Sequence, residues 1–322
     1  MMQYDRITLG RKARELGFVR DTFEKVCRLV DVLSFINTDS LLSSCLALKG
    51  GTAINLTIFG LPRLSVDIDL DFTENLPRDK MLSVRGKVTD HIEKYIESLG
   101  YKPSVKSKKS HALDSFVYEY QNSGGTKDNL KIEINYMLRC HVLPESRRKV
   151  NLPWDKSELT VLSIAPIEIF ASKIVALLNR TALRDLYDIH YMLQHDLFNE
   201  SEQTMLRKCT LLYRVIGSKT VPDRFRFDVI EKISTHQIKT ELLPVLRRSE
   251  HFDLRLAQSK TVQYLSELLT PNETEWAFLE AFRRNAYRPE LLFDQVDVLE
   301  RISHHPMALW KCNGQNTITW DR

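Results

Sequence analysis

The sequence predicts an α+β fold: a mixed sheet flanked by helices, followed by an all-helical C-terminal domain. Three observations predict it. The stretch "LKGGTAINLTIFGLPRLSVDIDLDF", Leu48 to Phe72, reads as strand, Gly-rich turn, helix and acidic strand. The runs "SFVYEYQ" and "LKIEINYML" alternate apolar and polar residues across "NSGGTKDN", a hairpin signal. From Pro166 onward the apolar residues recur at three and four, with no strand pattern. The change places a boundary near residue 160 and divides the chain into 1–160 and 161–322.

The elements follow in order. Phe23, Val26, Val30, Leu33 and Ile36 share one face of a helix that begins near residue 20. "CLALKGG" is a short strand entering a tight turn. "TAINLTIFG" continues as a helix, with Gly60 at its C-terminus and Pro62 just beyond. A helix over about 78–98 carries Met81, Val84, Val88, Ile92, Tyr95 and Ile96 on one side, with Gly100 behind it. After the hairpin, "LTVLSIAP" closes the strand-bearing half. Helices near 166–180 and 183–195 open the second half, and several more lie between 201 and 304.

Composition excludes several classes. The chain has 322 residues, 43% of them hydrophobic, enough for real cores. Lys plus Arg number 46 against 42 Asp plus Glu, so no strong overall field draws the chain to nucleic acid or membrane. Five cysteines, widely spread and without a Cys-x-x-Cys pair, read as reduced thiols. The N-terminus lacks the apolar core of a signal peptide, and no run of about 18 apolar residues occurs. The expected location is the cytoplasm, with no membrane partner. The nine histidines form no metal-ligand pattern, and P-loop, Rossmann and nucleophile-elbow motifs are absent.

The acidic strand poses the chemical question. In a strand, residues two apart share a face, so Asp67, Asp69 and Asp71 crowd one side, with Val66, Ile68, Leu70 and Phe72 on the other. Like charges so close raise one another's pKa unless a cation intervenes. Asp67 and Asp69 suit a hard divalent cation, which takes one or two carboxylates and completes its shell with phosphate oxygens. Glycines in the Gly50-Gly51-Thr52 turn let backbone N–H groups approach those phosphates. Glu133, with Lys131 and Asn135 on its own face of the second hairpin strand, is a third acid. It joins the metals, forms a cross-strand salt bridge or stays exposed. Asp71 is expected to be an outer partner of the site or an exposed residue.

The Gly-Gly-Thr turn, an Asp-x-Asp about fifteen residues on, and a later strand with a lone acid resemble the DNA polymerase β type nucleotidyltransferase superfamily. "SIAPIEIFASKIVALLNRTALRDLYDIHYML" is similar to the helical signature of the AbiEii/AbiGii toxin family, nucleotidyltransferase-like toxins of bacterial toxin–antitoxin and abortive infection systems. The shared motifs span Lys49 to Leu193. The resemblance implies two-metal transfer of NMP from an NTP to an RNA acceptor, with the tRNA 3′ end as candidate, opposed by a cognate antitoxin. Its site is a cleft between the two halves. Asp67, Asp69 and Glu133 bind Mg²⁺, for which Mn²⁺ can substitute, and Gly50, Gly51 and Thr52 cradle the triphosphate. Lys173 meets the phosphates, Arg180 projects from the same side, and Asp188 orients the lysine or helps the acceptor.

The residues leave alternatives open. Lys173 lies beside the buried stripe Ile167, Phe170, Ile174 and Leu177, so its ammonium needs an anion, either a carboxylate or a phosphate. An ion network of Lys173 or Arg184 with Asp185 or Asp188 would also satisfy it. Three basic patches are candidate RNA contacts or solvated faces: Lys102, Lys106, Lys108 and Lys109; Arg147, Arg148 and Lys149; and Arg207, Lys208, Arg214, Lys219, Arg224 and Arg226. A small-molecule nucleotidyltransferase and a catalytically silent binding module are the rival functions.

Overall fold

Apolar spacing at three and four gives the longer helices one buried face, and period-two alternation gives the longer strands one. The structure is a computed structural model that describes residues 5–155, 158–218, 220–221 and 223–313. Two compact units result. One runs to Arg139 and adds Glu145–Ile164 and Lys239–His251; the other comprises Cys140–Pro144, Ala165–Ile238 and Phe252 onward.

In the first unit, α1 (Arg6–Glu15) is capped by Asp5, whose carboxylate accepts from the N–H groups of Ile7 and Thr8. There follow α2 (Arg20–Thr38), the short α3 (Leu42–Cys45), β1 (Leu46–Lys49) and α4 (Gly50–Ala53). The helix of α4 widens directly into a π-wound turn over Ile54–Ile58. Gly60 then takes a positive φ of 65° and ends it, as expected of a glycine past a helix terminus. Next come β2 (Asp67–Phe72), α5 (Arg78–Ser98), two short strands β3 (Lys102–Pro103) and β4 (Lys108–Lys109), and the hairpin β5 (Leu113–Gln121) and β6 (Lys127–Asn135). β7 (Ser146–Lys149) and β8 (Thr160–Ser163) complete the sheet.

The strand order is β3-β5-β6-β2-β1-β8-β7, with β4 paired to β5. The acidic strand β2 lies inside, antiparallel to β1 and parallel to β6. Its apolar face is closed: Ile68, Leu70 and Phe72, with Ile132 and Ile134 of β6, are buried. Two ion pairs dock the helices on the hairpin. Arg28 and Glu24 pair within α2, and Glu24 accepts from the N–H and hydroxyl of Ser123 in the hairpin turn. Arg85 of α5 grips Asp114 of β5 and covers the Tyr136 ring at 4.6 Å.

Two features differ from what the pattern predicts. Arg147, Arg148 and Lys149 sit in β7, the last strand of the sheet order, where edge charges discourage pairing with another chain. Residues 239–251 follow a long helical stretch in sequence yet belong to the first unit. The carbonyl of Val245 accepts from the N–H of Leu64 at 2.7 Å, the N–H of Arg248 donates to the Gly17 carbonyl, and Arg247 lies over the Phe18 ring.

The second unit's described elements are helical: α6 (Pro166–Arg180), α7 (Leu183–Gln194), α8 (Glu200–Gly217), the short α9 (Asp228–Glu231) and α10 (Thr235–Gln237), α11 (Leu254–Leu268), α12 (Glu273–Arg283), α13 (Val296–Ile302) and α14 (Pro306–Cys312). Its core includes Phe170, Ile174, Leu177, Leu186 and Ile189, all without exposed surface. Buried Glu168 accepts from the N–H groups of Val142 and Leu143 and from the Tyr213 hydroxyl, which ties 140–144 into this unit. All five cysteines are thiols. Among the described residues no helix is long and apolar enough to cross a membrane.

Candidate active site

In the first unit the three aspartates of β2 share one face, and their environments differ. Asp67 and Asp69 are partly exposed, whereas Asp71 is 4% exposed. Lys49, at the end of β1, reaches Asp71 with its ammonium at 2.5 Å. Asp71 is therefore not an exposed residue: a lysine of the neighbouring strand neutralises it. Lys49 immediately precedes the glycines, and the register that sets it against Asp69 leaves Asp71 diagonally across.

Gly50 and Asp69 are fitted to one another. Gly50 has φ +67°, and a β-carbon there would lie 2.5 Å from Oδ2 of Asp69. Both the backbone conformation and the carboxylate's approach thus require glycine. The Thr52 hydroxyl donates to the Asp67 carbonyl, so the third residue of the turn is bonded to the start of the acidic strand rather than pointing freely outward. Gly50, Gly51, Thr52, Asp67 and Asp69 are one assembly, built by β1, α4 and β2.

Glu133 stands opposite Asp69 in the β2–β6 register, as the strand reading requires. Its carboxylate is engaged by Lys131 of the same strand at 3.0 Å. Among the described residues no group of three or more His, Cys, Asp or Glu side chains is disposed to hold a metal ion. The aspartate pair alone still fits a Mg²⁺-type ion, since such ions take one or two protein carboxylates and draw their remaining ligands from phosphate and water.

The second unit holds the other group. Lys173 of α6 is 8% exposed and contacts Asp185 at 2.9 Å and Asp188 at 3.2 Å, both on α7 and nearly fully buried. Arg180 adds a two-point grip on Asp185 at 2.7 and 3.0 Å. Burial pushes the Asp185 carboxyl up, but Lys173 and Arg180 outweigh it and hold the pKa at about 2. The partner of Asp185 on the helix end is Arg180, with its side chain 63% exposed, and Arg184 enters none of these pairs. Two cations and two carboxylates balance here, joining α6 to α7.

Much of the predicted basic surface is already used locally. Lys109 pairs with Glu93, Lys149 with Glu158, Arg207 with Glu275 and Lys208 with Asp294, while Arg147 donates to Asn37. Lys219 lies outside the described residues.

The model of the AbiEii nucleotidyl transferase toxin family, of type IV toxin–antitoxin systems, matches residues 32–284, most of the chain. The chain belongs to the AbiEii family. It is thus a nucleotidyltransferase toxin of a type IV toxin–antitoxin system, an enzyme using an NTP, of a family that works with a divalent metal and opposite an antitoxin. The AbiEii match takes in both the glycine–aspartate assembly and the Lys173 group. Among solved structures, the chain is similar to MenT4, a nucleotidyltransferase toxin from Mycobacterium tuberculosis H37Rv. The two are 15% identical with a TM-score of 0.64 over 94% of this chain and 99% of that one. The likeness establishes a shared fold, a mixed sheet flanked by helices with a helical C-terminal region. No curated protein matches.

Proposed function

We propose that this AbiEii chain acts in the cytosol, transferring a nucleoside monophosphate from an NTP to an RNA acceptor, the tRNA 3′ end, and blocks growth until its antitoxin neutralises it. The sheet-bearing unit is then the nucleotidyltransferase domain. The observation that carries the reading is the fit of Asp69 against Gly50, on the strand face shared with Asp67. It puts oxygen ligands beside a turn whose backbone N–H groups phosphate can approach.

In this reading Asp67 and Asp69 are ligands of Mg²⁺, as a pair of ions, and Glu133 assists by exchanging Lys131 for the metal side. When bound, such ions polarise the attacking hydroxyl and offset charge on the leaving pyrophosphate. The chain's own residues do the rest. Gly50, Gly51 and Thr52 cradle the triphosphate; in the second unit Lys173 and Arg180 are cations for an anionic ligand, with Asp188 orienting the Lys173 ammonium.

The test is incubation with each α-labelled NTP, Mg²⁺ and total bacterial RNA, beside an Asp69→Asn variant. Label on a defined RNA that requires Asp69 is expected. Equal labelling by both proteins, or none from any NTP, overturns the proposal. Transfer to RNA should also weaken steeply with added salt, which transfer to a small-molecule acceptor would not.

A further inference from the structure

The loop between Phe59 and Val66 carries the chain from the glycine turn to Asp67, and Asn55 holds it at Leu61 and Arg63. Asn55 has no exposed surface, on a helix between the buried apolar residues Ile54 and Leu56. Its Nδ2 donates to the Gly51 carbonyl at 2.7 Å, and its Oδ1 accepts from the N–H of Arg63 at 3.3 Å. Its own carbonyl accepts from the N–H of Leu61 at 2.7 Å. Arg63, 2% exposed, donates to the Leu64 carbonyl, and its guanidinium lies 3.1 Å from where a β-carbon on Gly51 would stand.

Packing does not explain an amide at this position, because a leucine of similar volume would suit an apolar surround at lower desolvation cost. What an amide offers is a donor nitrogen and an acceptor oxygen on a single planar group. Both are used, and each is used on a different segment. The helix also changes from α to π winding at this point, a rearrangement that clusters at functional sites. With the Thr52 hydroxyl bonded to the Asp67 carbonyl, the turn is tied to the approach of the acidic strand at two places, Gly51 to Arg63 and Thr52 to Asp67.

We propose that Asn55 is a positioning residue: its amide fixes the Gly50-Gly51-Thr52 turn relative to Asp67 and Asp69, and so sets the gap that the nucleotide's phosphates and their cation must fit. The inference rests on the nucleotidyl-transfer reading above. It predicts that Asn55 controls metal affinity and turnover without touching the substrate.

Asn55→Asp keeps the shape and the acceptor and removes the donor; Asn55→Leu removes both. Three readouts apply: amide hydrogen exchange along the chain, Mn²⁺ affinity by electron paramagnetic resonance, and kcat and KM for label transfer. Exchange is expected to rise over residues 50–53 and 63–67, with the β5–β6 hairpin unchanged. Mn²⁺ affinity and kcat should each fall by about tenfold in Asn55→Asp, the scale of one lost buried hydrogen bond, and further in Asn55→Leu. KM for the NTP should move less than kcat. Unchanged exchange at both segments, or Mn²⁺ affinity and kcat within about twofold of wild type, overturns the proposal. A role in stability alone would lower the melting temperature and leave kcat of the folded protein intact. Should the buried carboxylate of Asn55→Asp prevent folding, Asn55→Leu decides. If wild type transfers no label, the enzyme reading fails, while exchange and Mn²⁺ affinity still judge Asn55.

Discussion

Replacing Lys173 with Met should loosen α6 against α7 while leaving the chain folded. Lys173 faces Asp185 and Asp188, whose side chains are each 1% exposed, so the substitution leaves buried negative charge in excess. Breaking a buried pair from one side costs about 3–5 kcal/mol. Arg180 stays on Asp185 in the variant, which places the loss near the lower end, about 3 kcal/mol. The apolar contacts of Phe170, Ile174, Leu177, Leu186 and Ile189 remain, so local opening is expected rather than collapse. Because the chain has two compact units, a single melting curve is a poor gauge, and amide exchange in α6 and α7 is the assay. Protection there should fall about a hundredfold. Adding Asp188→Asn restores charge balance, so the double variant should lose less than the sum of the single changes, by about 1–3 kcal/mol. The effect has a pH signature. Asp185 is held below its ordinary 3.8 at about 2, so its ion pairs favour the folded state above that ordinary value, and the contribution disappears as pH falls through about 2. The gap between wild type and Lys173→Met should therefore narrow on acidification through that window. Unchanged protection in Lys173→Met, or strictly additive losses in the double variant, would refute the charge-balance argument.

Two further outcomes follow from the sheet. Gly50→Ala forces a left-handed backbone on alanine, at roughly 1–2 kcal/mol, and drives a methyl into the Asp69 carboxylate; calorimetry should show a modest drop in melting temperature, and label transfer should vanish. Lys49→Met takes the ammonium from Asp71, whose side chain is 5% exposed, at a cost of about 2–3 kcal/mol given that Lys49 is itself 24% exposed. Urea denaturation should record that loss, and Lys49→Met/Asp71→Asn should recover part of it.

Period and turn chemistry made most of the longer strands and helices legible, but not α1 or the short strands β3, β4 and β7. The acids of β2, the glycine turn, the hairpin and the passage to helices at Pro166 are all local patterns, and each lies where the sequence places it. What the sequence did not disclose is long-range. The counter-ion of Asp71 is Lys49, a partner 22 positions away that becomes a neighbour only once β1 and β2 pair in one register. The attachment of Val245 to Leu64 spans most of the chain and depends on no local pattern. On α6, spacing put Lys173 and Arg180 on one side, but the choice of Arg180 over Arg184 for Asp185 is visible only in the folded chain. Asn55 was hidden for a different reason: within "TAINLTIFG" it looks like one polar residue on an amphipathic helix, and its two bonds appear only when the Arg63 loop folds over it.

Whether Asp67 and Asp69 together hold a divalent cation beside the glycine turn is decided by Mn²⁺ binding, read by electron paramagnetic resonance. Wild type with a non-hydrolysable NTP analogue should bind Mn²⁺, and Asp69→Asn should bind it at least about tenfold more weakly. Equal Mn²⁺ affinity in the two proteins would rule out Asp69 as a ligand.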